Sequence, residues 1–212
     1  MYQYVSDIFS DLSVSLSLFA DDLKLYTCYK IDALHNDLHT AVSRLIEWAK
    51  LWQLQIAVPK CSVFRIFNPQ WNACESVQQV TYNIDGFALP FADQIRDLGV
   101  HHDCRLKYDK HICLIVHNAY KRAVLILKCF HTREREILKL AFCTYVRPLL
   151  EFACQVWSPK YRYLLDKIES VQRFFTRKLH GLRHISYQER LKRLNNNMSS
   201  LELRRLHSDL IW

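Results

Sequence analysis

From Leu12 to Tyr26 the chain alternates apolar and polar residues on either side of a polar break. Leu12, Val14, Leu16 and Leu18 are separated by Ser13, Ser15 and Ser17; Leu23 and Leu25 flank Lys24; Phe19-Ala20-Asp21-Asp22 lies between. A period of two suits a half-buried strand and no helix. Two short strands are therefore expected, the second over Leu23 to Thr27, with two carboxylates displayed at a hairpin tip. Adjacent aspartates repel one another, and holding both on a rigid turn makes most sense where a divalent cation sits between them and a phosphate. Asp21 and Asp22 are thus candidate ligands of a phosphoryl- or nucleotidyl-transfer site. The same dipeptide is also an ordinary polar turn.

The rest of the chain divides by periodicity. Ile31, Leu34, Leu38, Ala41, Leu45, Trp48 and Trp52 recur at three- or four-residue steps, which predicts an amphipathic helix over about 31–52. Pro59 marks a turn, and Cys61 to Phe67 alternates as a strand. Val77 to Ile84, Asp85-Gly86 and Phe87 to Phe91 read as a hairpin with a favoured two-residue turn, and Ile95 to Val100 as one further short strand. From Tyr108 the pattern is helical. Ile112, Ile115, Ala119, Ala123, Ile126 and Phe130 define one helix, and Ile137, Leu140, Thr144 and Tyr145 another that Pro148 ends or kinks. Further helices are expected near 160–180, 186–195 and 199–210. The fold class is α+β.

Charge separates the same two regions. Residues 1–104 carry a net charge of −5 and residues 105–212 a net charge of +13. An acidic part with a carboxylate pair preceding a strongly basic helical part is the polarity expected if one binds cations and the other tracks a phosphate backbone. Lys121, Arg122, Lys128, Arg173, Arg177 and Lys178 are the candidate backbone-binding cations; basic residues on a helix are also an ordinary solvated surface. Tyr161, Tyr163, Phe174, Phe175 and Trp157 lie among the basic residues, placed either to stack on bases or to fill a core.

The eight cysteines form no Cys-x-x-Cys pair, so zinc spacing is not evident, and Cys129, Cys143 and Cys154 in apolar helical stretches read as buried thiols. No run reaches the length of a membrane span. The expected location is intracellular, in nucleus or cytoplasm, with no membrane partner.

Several segments carry a family likeness. Leu18-Phe-Ala-Asp-Asp-Leu-Lys-Leu-Tyr26 resembles the catalytic hairpin of reverse transcriptases in the form used by LINE-type, non-LTR, jockey-like retrotransposons. Tyr4-Val-Ser-Asp-Ile8 is similar to a segment preceding that hairpin, with Ser6 in place of Asn. Trp52 to Cys61 is similar to the element following it, with Ala57 in place of Asn. Leu98-Gly-Val100 with His111-Ile112 resembles the stretch leading into the thumb. Tyr145 to Leu149, Gln155 to Pro159, Ile168 to Phe174 and Arg204 to Leu210 resemble later landmarks in the same order.

The resemblance implies a partial polymerase palm at 1–67, a strand hairpin at 68–104 joining it to a thumb, and a basic helical thumb-like region at 105–212. It implies an RNA-directed DNA polymerase whose complete form holds two Mg2+ or Mn2+ ions and takes an RNA template, a DNA primer and deoxynucleoside triphosphates. Asp21 would coordinate the ions, Asp22 would be a second ligand or orient the hairpin, and Lys60 would neutralise or protonate the departing pyrophosphate. A third carboxylate on an earlier palm strand and the fingers have no counterpart in the residues before Asp21. The expectation is the C-terminal part of such an enzyme, inactive as an isolated chain. The alternative is a catalytically dead relic that binds nucleic acid through its basic half.

Overall fold

The computed structural model describes residues 7–9, 11–28, 36–67, 81–132, 134–194 and 198–211. The protein is α+β, and its contacts divide it into two units, Met1–Asp93 and Gln94–Trp212.

In the first unit the alternating segment forms strands β1 (Ser15–Phe19) and β2 (Asp22–Tyr26), antiparallel, with Leu16 opposite Leu25 and Phe19 opposite Asp22. Leucines fall on one face. Leu16, Leu18, Leu23 and Leu25 pack with Phe9 and with Ala41, Leu45 and Trp48 of helix α1 (Asn36–Leu51), so the serine face is left to solvent. The expected start of this helix, 31–35, lies outside the described residues. Its end is set by Gln53 at φ 55°, which lets the Leu54 N–H reach back to the Ala49 carbonyl at 2.8 Å. Arg44 on α1 clasps Asp11 and also donates to the Ile8 carbonyl at 2.9 Å.

The strand expected over Cys61 to Phe67 is shorter: β3 (Val63–Phe64) pairs in parallel with β6 (Phe91–Ala92). Asp85-Gly86 does turn a hairpin, β4 (Asn83–Ile84) to β5 (Phe87–Ala88), with both turn residues at positive φ, 48° and 82°. That is the mirror-image turn that an Asp-Gly pair favours. Residues 77–80 of the expected hairpin lie outside the described residues.

Ile95 to Val100 is not one strand but a second hairpin, β7 (Gln94–Asp97) to β8 (Val100–Asp103), turning at Leu98-Gly99. Leu98 carries φ 43° and Gly99 φ 90°. A leucine in the left-handed region is uncommon, which is why pattern alone reads the segment as continuous. Gly99 also has a packing reason, since a Cβ there would lie 3.1 Å from the Phe152 ring. The strands expected within 68–104 thus belong to separate hairpins, β4/β5 in the first unit and β7/β8 in the second.

The second unit is a helical assembly: α2 (Asp109–Cys129), α3 (Arg135–Tyr145), α4 (Arg147–Glu151), α5 (Cys154–Trp157), α6 (Arg162–Lys178), α7 (Tyr187–Arg193) and α8 (Leu201–Ile211). Pro148 opens α4 after a break at Val146, as expected. One core joins Ile112, Val116, Ala119 and Ala123 of α2 to Phe142, Leu150 and Trp157 and to Leu164, Ile168, Val171 and Phe175 of α6. Cys154 is buried and Cys143 half-buried, but Cys129, expected inside, is exposed at the last turn of α2. Within α6, Glu169 and Gln172 face inward. Glu169 accepts the Tyr187 hydroxyl and, at 3.0 Å, the Leu201 N–H that opens α8; Gln172 donates to Tyr187 at 2.9 Å and to the Ser199 carbonyl at 3.0 Å. This network ties α6, α7 and α8 together and satisfies Glu169 and the Gln172 amide nitrogen, while the buried Gln172 Oε1 has no hydrogen-bond partner among the described residues.

The entry to α2 is fixed by Asp103, whose carboxylate accepts backbone N–H groups of Arg105 at 2.9 Å, Tyr108 at 3.0 Å and Lys107 at 3.1 Å. Partial burial works to raise this carboxyl, but those donors outweigh it and hold it below the usual range. Behind it, His111 is 3% exposed, accepts the His101 N–H on Nδ1 at 3.3 Å and meets the Trp157 ring edge-on. Burial, reinforced by neighbouring His101 and His102, lowers its pKa to about 4.

Because that folded value lies below the unfolded one, protons bind preferentially to the unfolded chain between pH 6.5 and about 4. The His111 contribution is complete above pH 6.5 and is lost on acidification through this window, about 3 kcal/mol in all. Urea midpoints measured across the window are expected to fall as pH drops. His111→Phe is expected to flatten that slope whatever its effect at pH 7.

Candidate nucleic-acid interface and carboxylate hairpin

The hairpin turn consists of Ala20 and Asp21, and Asp22 opens β2 opposite Phe19. Phe19, Ala20, Asp21 and Asp22 are all exposed, with Phe19 at 60%. Phe19 therefore does not fill the core of its own unit. Among the described residues neither carboxylate has a hydrogen-bond or ion-pair partner. Ala20 sits at φ 54°, a conformation that costs an L-residue about 1–2 kcal/mol. The turn is thus held in shape by the leucine face beneath it and presents two hard oxygen donors to solvent.

Such donors suit Mg2+ or Mn2+. Among the described residues, however, no group of three or more Asp, Glu, His or Cys side chains is close enough to hold a metal. Lys60 ends a short 3-10 turn, Val58–Lys60, and is exposed, with no hydrogen bond or ion pair to the carboxylates. His102 meets the Tyr108 hydroxyl at 3.3 Å, and the His101 N–H donates to His111.

In the second unit, α2 and α6 run side by side in the same direction. Tyr163 donates to Asp109, Lys167 meets the Cys113 sulfur at 2.9 Å, and Tyr120 donates to Ser170 at 3.0 Å and lies against Phe174, its ring tilted by 56°. Both helices turn their apolar sides inward, leaving a shared outer face. On α2, Lys110, His117, Lys121 and Lys128 follow one another at intervals of seven, four and seven residues, and all are exposed. Those intervals return to the same side of a helix, making a stripe about 27 Å long. On α6, Lys167 and Lys178 flank Phe174, with Lys178 5.9 Å from its ring centre.

Ion pairing sorts the basic residues of this unit. Lys139, Arg147, Arg162, Arg173, Arg193 and Arg204 are each paired with a carboxylate. Among the described residues Lys110, Lys121, Arg122, Lys128, Lys167, Arg177 and Lys178 have no carboxylate partner. Five of the six sequence candidates are therefore free cations on adjacent helices. Arg122 lies about 100° round α2 from Lys121. Arg173 differs, being tied to Asp166 at 3.1 Å and lying over the Tyr187 ring. Sequence reasoning passed over Lys110 and Lys167; the same-face spacing of 110, 117, 121 and 128 was a signal that finds the first of them.

The aromatic candidates are sorted as well. Trp157 and Phe175 are core, at 1% and 0% exposure, and Phe174 is half-buried, whereas Tyr161 and Tyr163 are 58% and 60% exposed.

No helix among the described residues is long and apolar enough to cross a membrane. No family model matches the chain, and no solved structure matches it. An uncharacterized protein of Caenorhabditis elegans is similar, 26% identical over 117 residues that make up 54% of this chain and 58% of that protein. The chain thus spans a little over half the length of that relative.

Strain at the turn generates a direct test. Ala20→Gly removes the left-handed penalty, less the extra backbone freedom gained on unfolding, and is expected to raise stability by about 0.5–1 kcal/mol. Equilibrium urea unfolding followed at Trp48 and Trp52 of this unit measures it; a loss of stability would contradict the turn geometry described.

Proposed function

We propose that the chain is the C-terminal part of an RNA-directed DNA polymerase of the non-LTR retrotransposon type, in which the basic α2/α6 face holds the template–primer duplex by its backbone. The observation that carries the reading is the row of acid-free cations on two parallel helices, found beside a sequence whose ordered motifs resemble that family. Lys110, Lys121, Lys128, Lys167, Arg177 and Lys178 would contact phosphates, which position a duplex without reading its bases.

In this reading Asp21 and Asp22 are two of the carboxylates of a two-ion site for nucleotidyl transfer. The ions would activate a primer 3′-hydroxyl and neutralise charge on an incoming triphosphate. The chain's own part is to fix the two carboxylates on a rigid turn and leave them open to solvent. Lys60 is the proposed counter-charge for pyrophosphate. A second reading, a remnant that binds but does not polymerise, is favoured for the isolated chain by the absence of a third metal-ligating side chain near the hairpin among the described residues.

Two outcomes are expected. Purified chain binds duplex of unrelated sequences with similar affinity, and log affinity falls with log salt at a slope near −5, six phosphate contacts being available. Lys121→Ala with Lys128→Ala lowers the slope by about 2 and weakens all sequences alike. A salt-independent affinity would refute backbone binding. With a primed RNA template, magnesium and all four deoxynucleotides, the isolated chain gives no extension. Extension that Asp21→Asn abolishes would show that the chain alone completes the ion site.

A further inference from the structure

Tyr161 and Tyr163 stand at the start of α6, exposed and nearly parallel, with ring centres 6.0 Å apart and planes 29° apart. Other aromatics of the chain are as exposed, but these two form a facing pair. Tyr163 is also held in place, its hydroxyl bonded to Asp109 on the first turn of α2. The pair therefore lies at the Lys110 end of the basic stripe. Around it Lys110, Lys160 and Lys167 have no carboxylate partner among the described residues, while Arg162 is occupied by Glu202 at 3.0 Å and Asp166 at 3.6 Å.

An aromatic pair held beside Lys110, Lys160 and Lys167, whose charge exceeds that of the Asp109 carboxylate bonded to Tyr163, matches the two demands of single-stranded nucleic acid, a π-face for each base and positive charge for each phosphate. A base-paired duplex offers only the second, since its bases are already stacked. The positive surroundings favour a polyanion over an apolar protein segment. We propose that Tyr161 and Tyr163 form a stacking platform for unpaired bases of a single-stranded segment, RNA or DNA, continuous with a duplex lying along Lys110, Lys121 and Lys128. The inference rests on the backbone-binding reading above and adds to it the class of nucleic acid preferred: a duplex with a single-stranded extension.

The test compares full-length chain binding to a labelled blunt duplex and to the same duplex with an overhang of about ten nucleotides, in RNA and DNA versions, at one salt concentration. The overhang is expected to tighten binding about tenfold. Tyr161→Ala should weaken overhang binding by about fivefold or more and leave blunt-duplex binding unchanged, whereas Tyr161→Trp retains the preference. The RNA and DNA arms show which strand the platform takes. Equal affinity for blunt and overhung duplex, or an alanine effect of the same size on both, overturns the platform while leaving backbone binding intact. Absence of binding to either ligand overturns the backbone reading itself. Self-association of the chain that Tyr163→Ala abolishes would assign the pair to a second copy and likewise overturn the platform.

Discussion

Parallel packing of α2 on α6 is the constraint from which the character of the helical unit follows. Ala119 and Ala123 are fully buried on the inner side of α2, and Leu164, Ile168, Val171 and Phe175 are the buried side of α6. Small residues on one helix and large ones on the other allow close approach with a filled core. With apolar sides turned inward, every lysine at the opposite phase points outward, and two helices in one direction bring their outward phases side by side. Like charges so placed repel each other in the free protein. The stripe is supported by core packing and by the Tyr163–Asp109 and Tyr120–Ser170 bonds, and neutralisation by a polyanion would relieve its repulsion.

The two units use charge in opposite ways. In the first, two aspartates at a strained turn are raised into solvent by a leucine-backed hairpin, and Arg44 is spent on Asp11 rather than on them. In the second, five arginines enter ion pairs, among them Arg204 with Glu151 at 3.1 Å, while Lys110, Lys121 and Lys128 of α2 and Lys178 at the end of α6 have no carboxylate partner among the described residues. Bidentate arginine pairs such as Arg162–Glu202 and Arg204–Glu151 fix helices to one another.

Elements with strong local signals were legible in the sequence. The Leu12 to Tyr26 alternation gave the hairpin and its buried face, Asp85-Gly86 gave a turn, and the apolar spacing from Ile112 onward gave the helices to within a few residues. Where tertiary context decides, reading failed. Leu98 adopts a left-handed turn that its residue type disfavours, so a hairpin looked like one strand. Glu169 and Gln172 look like solvent-facing residues but are buried because Tyr187, Ser199 and Leu201 supply partners from 15 to 32 positions away. Cys129 was expected inside from its apolar neighbours, yet it falls on the exposed last turn of α2. Of the candidate residues, Asp21 and Asp22 are exposed at the turn where the alternation puts them, and five of the six cations have no carboxylate partner among the described residues. That Arg173 is occupied by Asp166, and that only two of five aromatics reach solvent, depend on contacts no periodicity encodes.

The proposed binding of nucleic acid across the α2/α6 face would leave a footprint on its lysines. Lysine acetylation read by mass spectrometry, on the full chain with and without saturating duplex, tests it most directly. Protection at Lys110, Lys121, Lys128, Lys167 and Lys178, with Lys50 and Lys192 unchanged, is the predicted pattern. Protection that is uniform across all lysines, or that spares Lys121 and Lys128, would contradict it.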